Sequence, residues 1–119
     1  MARVITFCPK QSLIGSNQSS GQDYYSEIFD VTDVNQLTVT MQVLGTSSTG
    51  TTITGTLEET DDPTFVNACW NALSPQLTVA GVNFTKQQFS GLRRFVRSKV
   101  NIPSGLTVNV CLDAVAREP

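Results

Sequence analysis

The sequence predicts an all-β chain: a single antiparallel β-sandwich, jelly-roll-like or immunoglobulin-like, with a flexible polar segment near the N-terminus. Three observations predict it. Several stretches alternate apolar and polar residues with period two. Charged residues make up only 15% of the chain, and Thr, Ser, Asn, Gln and Gly fill the shortfall, the residue types of pleated surfaces and turns. Finally, 119 residues suffice for one core but not two, so residues 1–119 form one domain.

The elements follow in order. Residues 3–7 form a short strand ending at Cys8-Pro9, and the polar stretch 10–22 reads as a flexible arm or long loop. Alternation resumes over 24–31. In 36–44, Leu37, Val39, Met41 and Val43 are apolar against Thr38, Thr40 and Gln42, the pattern of a half-buried strand. After the connection GTSSTG, residues 51–59 place Ile53 and Leu57 inward and Thr52, Thr54, Thr56 and Glu58 outward, with Gly55 marking a bulge or a close backbone approach. These two strands read as one long hairpin. Residues 92–102 and 106–116, around Pro103-Ser104-Gly105, read as a second. Residues 63–73 are ambiguous: Asp62 and Pro63 would open a helix with Phe65, Cys69 and Leu73 on one face, but Asn67 and Asn71 favour strand or irregular structure.

Composition narrows function. Net charge is −2, so the chain as a whole repels polyphosphate, and no specific nucleic-acid partner is expected. No run approaches the ~20 apolar residues of a membrane span, and the N-terminus lacks the apolar core of a signal peptide. Cys8, Cys69 and Cys111 are odd in number and widely spaced, which fits free thiols. With no histidine, the commonest general base, the Ser-His and Cys-His pairs and the commonest metal ligand are all missing. The chain is therefore expected to be no enzyme, with no catalytic residue, cofactor or metal. The acidic run 58–62 lacks the spacing of an EF-hand calcium loop and reads as solvated.

The stretch GLRRFVRSKV holds four of the eight positive charges. Period two turns Leu92, Val96, Val100 and Ile102 inward and leaves Arg93, Phe95, Arg97 and Lys99 as a basic stripe on the other face. A discrete basic stripe and a discrete acidic loop on one small domain suit complementary contacts between neighbouring copies. Arg93, Phe95, Arg97 and Lys99, with Asp61 and Asp62, are accordingly the candidate subunit-interface residues. As exposed charges, Arg97 and Lys99 should tolerate reversal to Glu with the fold intact.

LTVTMQVLG (37–45), ITGTLEETDD (53–62), Trp70 and RFVRSKV (94–100) together resemble small β-sandwich virion proteins of tailed bacteriophages, capsid decoration (cement) or auxiliary head proteins. The resemblance implies a structural virion protein made in the host cytoplasm and bound to other virion proteins, the major capsid protein foremost, as a homo-oligomer. The alternative is a carbohydrate-binding module on a phage surface, with Tyr24, Tyr25 and Trp70 as stacking residues. The two readings differ in where the aromatics sit: a structural core buries Trp70, whereas a glycan site exposes the aromatics together.

Overall fold

A computed structural model describes residues 2–15, 21–48, 50–62, 64 and 69–118. Ten strands form two antiparallel sheets: β1 (Ala2–Ile14), β2 (Gln22–Tyr25), β3 (Phe29–Asp30), β4 (Gln36–Thr46), β5 (Thr52–Thr60), β6 (Asn71–Ala72), β7 (Leu77–Ala80), β8 (Phe84–Ser90), β9 (Phe95–Ile102) and β10 (Thr107–Arg117). One sheet has the order β1-β10-β4-β8; the other has β2-β9-β5-β6, with β3 also on β9 and β7 also on β5. The described residues contain no helix.

The expected sandwich is present, and its winding is that of a jelly roll. First-half strands pair with second-half strands in nested fashion: β1 with β10, β2 and β3 with β9, β4 with β8, and β5 with β7. The chain thus forms a long antiparallel ribbon wrapped until β10 meets β4 and β9 meets β5. This corrects both expected hairpins. β4 and β5 lie in opposite sheets, as do β9 and β10, so the chain crosses between layers after Thr46 and again at Pro103-Ser104-Gly105. Alternation reveals which face of a strand is apolar, but both sheets turn an identical apolar face to the same core, so it is silent on which strands pair.

The core contains Leu37, Val39, Met41 and Val43 of β4, Val108, Val110 and Leu112 of β10, Ile53 and Leu57 of β5, and Val96, Val100 and Ile102 of β9, all at most 1% exposed. Gly55 resolves as a close approach rather than a bulge. Its ladder with β9 runs unbroken, and a Cβ there would sit 2.7 Å from Met41 Sδ and 3.2 Å from Leu112 Cδ1 of the facing sheet.

Two further expectations are corrected. Residues 10–14 belong to β1 instead of a flexible arm: Gln11 to Ile14 continue the ladder with β10, and Leu13 is buried. An edge strand with a solvated face has the composition of a loop. Pro9, which has no N–H to donate, falls at the register shift between Cys8 and Gln11. Gly15 and Gly21 pin both ends of the intervening stretch, whose residues 16–20 lie outside the described set. A Cβ on Gly15 would meet Pro103 O at 1.9 Å, and one on Gly21 would meet Ile102 O at 2.3 Å. β9 starts at Phe95 rather than Leu92. Of the ambiguous 63–73, residues 63 and 65–68 lie outside the described set, and Asn71–Ala72 pair with Glu59 and Glu58.

Candidate functional site

The outer face of the β2-β9-β5 sheet gathers most of the chemically active side chains. Cross-strand register sets its rows: Asp23, Asn101 and Thr54; then Tyr25, Lys99 and Thr56; then Arg97 and Glu58; then Phe95 and Thr60. Residues paired across a ladder share a face, so β9's outward residues lie between those of β2 and β5.

Arg97 organises one half of this face. Its Nε donates to Glu58 Oε1 at 2.8 Å, and its guanidinium lies 4.5 Å from the Tyr25 ring centroid and 4.2 Å from that of Trp70. Lys99 Nζ is 4.0 Å from the other Glu58 oxygen. A planar cation stacked on two rings and bonded to a carboxylate has few orientations left, so the cluster is fixed before any partner arrives. Trp70 is partly buried in this stack, not in the sandwich core as the structural reading expected. Tyr24 belongs elsewhere: its hydroxyl donates to Ile14 O at 2.6 Å and ties β2 to β1.

The acidic run meets the basic stripe within one chain. Glu58, Glu59 and Thr60 are part of β5, and consecutive strand residues point to opposite faces. Glu58 therefore serves the outer face. Glu59, on the core side, accepts from the Arg93 backbone N–H at 2.8 Å, with Arg93 Nε 3.8 Å from its other oxygen. Arg93 Nη1 also donates to Asp61 Oδ2 at 3.3 Å. Among the described residues, Asp62 joins no cation. It accepts from the Thr64 hydroxyl and backbone N–H, and these bonds hold its carboxyl below the ordinary carboxylate range. Arg94 lies over the Phe95 ring at 4.9 Å and 3.8 Å from Asp30. Among the candidate residues, the structure thus joins Arg93 to Asp61 and sets Arg97 and Lys99 on Glu58, while Phe95 and Asp62 stand apart.

The other half of the face is a groove of about 320 Å³ lined by Asp23, Thr54, Thr56, Gln76, Lys99 and Asn101. Asn101 Nδ2 donates to Asp23 Oδ1 at 2.9 Å, and Gln76 Nε2 donates to Thr56 Oγ1 at 3.2 Å. Sequence reasoning missed this groove. The outward phase of β5 already contained Thr54 and Thr56, and extending β9's phase by one step reaches Asn101. Asp23 and Gln76 gave no local signal, because only the pairing of β2 with β9 and the path before β7 bring them there.

No family model matches the chain, and no curated protein matches it in sequence. Its fold is similar to that of the SPBc2 prophage-derived protein YomS, with TM-score 0.56 and 17% identity over 98% of this chain and 92% of that one. It is also similar to the PBSX exported protein XepA, with TM-score 0.70 and 11% identity over 98% of this chain but 37% of that one, so it spans little more than a third of XepA. A third likeness is to the CBM22-1 and GH10 modules of Clostridium thermocellum endo-1,4-β-D-xylanase 10B, complexed with xylohexaose, at TM-score 0.60 and 13% identity over 99% and 26% of the two chains. At such identities the likeness is one of fold.

Proposed function

We propose that the chain is a non-enzymatic structural protein of a tailed-phage particle, which attaches to capsid subunits as a decoration or auxiliary head protein and acts as a homo-oligomer. The observation that carries this reading is the Arg97, Tyr25 and Trp70 stack on an open sheet face. Arg, Tyr and Trp dominate the energetics of protein interfaces, because each offers a large contact area with a directed polar group. Here Glu58 fixes Arg97, on which both rings stack, so docking immobilises less that is free. The whole-length fold likeness to prophage-derived YomS supports the phage setting. The absence of histidine and the engagement of Glu58, Glu59 and Asp61 by cations support a non-enzymatic role.

Mass spectrometry of purified particles tests the reading. The chain is expected at a copy number comparable to capsid subunits, and recombinant chain should co-sediment with particles that lack it. Trp70→Ala should reduce co-sedimentation at least about tenfold, the loss of 1.4 kcal/mol or more that truncation of an aromatic interface anchor produces. Absence from particles, with no co-sedimentation of the wild-type chain, would rule the reading out.

A further inference from the structure

We infer that the groove beside this stack is a binding site for a neutral saccharide, so that the particle protein also holds glycans. The inference goes beyond the structural role and stands on different residues. All six lining residues are polar, which disfavours an apolar ligand, and the volume of about 320 Å³ lies at the small end of the range for ligand sites. Five of the six lie on β2, β5 and β9, whose ladders fix their spacing, and Thr56 is almost wholly buried. This floor is therefore set before a ligand arrives.

The lining chemistry identifies the ligand class. A carboxylate, two amides and two hydroxyls supply both donors and acceptors, as vicinal sugar hydroxyls require. Asp23 uses one carboxylate oxygen on Asn101, and Gln76 uses one N–H on Thr56. Carboxylates and amides have several such sites, so capacity for a ligand remains on both. Asp23 and Lys99 offset each other in charge, and Glu58 lies 4.0 Å from the Lys99 ammonium, so the groove has no net attraction for phosphate or an acidic polymer. Single-groove affinity should be modest, and copies on one particle would raise it by avidity.

The test uses the full chain with soluble cello-, xylo-, manno- and chito-oligosaccharides, and with polygalacturonate and inorganic phosphate as anionic controls. Amide NMR should show at least one neutral oligosaccharide binding with Kd at or below about 1 mM, with shifts centred on Asp23, Gln76 and Asn101. Gln76→Ala, and separately Asp23→Ala with Asn101→Ala, should weaken it at least about tenfold. Lys86→Ala, in β8 of the other sheet, should leave it unchanged. Two variants are needed because Asp23 and Asn101 also join β2 to β9, whereas Gln76 lies outside the strands. The site is disproved by failure of every neutral saccharide to bind, by binding that both variants retain, or by preference for polygalacturonate or phosphate. Such a failure leaves co-sedimentation with particles untouched, since that rests on Trp70 and Arg97.

Discussion

Arg97 and Glu58 face each other across the β9–β5 ladder, joined at 2.8 Å with the two side chains only 24% and 11% exposed. This pair differs from a surface salt bridge. Tyr25 and Trp70 cover the guanidinium, and losing either charge leaves the other poorly hydrated. The alternation of β9 implies an exposed stripe whose charges reverse at little cost, and the pairing removes that tolerance. Arg97→Glu with Lys99→Glu would set three carboxylates together, and a loss of about 2–4 kcal/mol is expected. The urea midpoint should fall accordingly, and adding Glu58→Arg should recover part of the loss. An unchanged midpoint in the double variant would show that the pair contributes nothing.

What was legible in the sequence is what depends on neighbours along the chain. Leu37 to Val43, Ile53 to Leu57 and Val96 to Ile102 alternate so regularly that strand, face and core follow directly. Pairing depends on residues far apart in the chain and was hidden, which is why β4 and β5 read as a hairpin. β8 was missed because its outward Phe84, Lys86 and Gln88 are exposed and only Phe89 is buried. Five of the six candidate site residues were legible as charge patterns, and Phe95 by its place in the phase of β9. That Glu58 and Asp61 would meet Arg97 and Arg93 of the same chain was not, since only the β5–β9 register brings them together.

Gly55 sets the spacing of the two sheets. Gly55→Ala would press a methyl against Met41 Sδ and Leu112 Cδ1, in a core where both side chains are at most 1% exposed. A destabilisation of about 1–3 kcal/mol is expected, as for other overpacked cores. Gly50→Ala, with nothing within 4 Å of the added atom, should stay within about 0.5 kcal/mol. Combining Gly55→Ala with Met41→Val should show a favourable coupling of at least about 0.5 kcal/mol in thermal or urea unfolding. Strict additivity would mean that the methyl is accommodated elsewhere.

Two carboxylates titrate low for a local reason. The Thr32 hydroxyl and then its backbone N–H donate to Asp30, and Thr64 does the same for Asp62, so both folded values lie below the ordinary 3.8. A depressed folded value contributes stability above pH 3.8, and that contribution is lost as pH falls through the lowered value. Both groups lie at the surface, so the measurement is titration rather than melting. NMR of the side-chain carboxyls should move Asp30 up toward 3.8 in Thr32→Val with Asp62 unmoved, and the converse should hold in Thr64→Val. No movement in either variant would discount the hydroxyl bonds.

The three thiols should react in an order set by cover and charge. Cys69 is exposed, Cys111 is half-covered on the outer face of β10, and Cys8 is buried at the shifted register of β1, where Gln11 Nε2 donates to its sulfur at 3.5 Å. Burial pushes the Cys111 thiol above its usual 9.0, with Asp113 and then Cys8 adding to the effect and Lys10 opposing it. Alkylation proceeds through the thiolate, so a raised value slows it at neutral pH. Under native conditions iodoacetamide should modify Cys69 first and Cys111 more slowly. Cys8 should lag Cys69 by at least about a hundredfold, because its reaction waits for β1 to open from β10. Asp113→Asn should speed Cys111 and leave Cys69 unchanged, whereas Lys10→Gln should slow Cys111. Mass spectrometry of the time course reads each site separately. Equal rates at Cys8 and Cys69 would mean that β1 is not held on the sheet edge as the ladder with β10 requires.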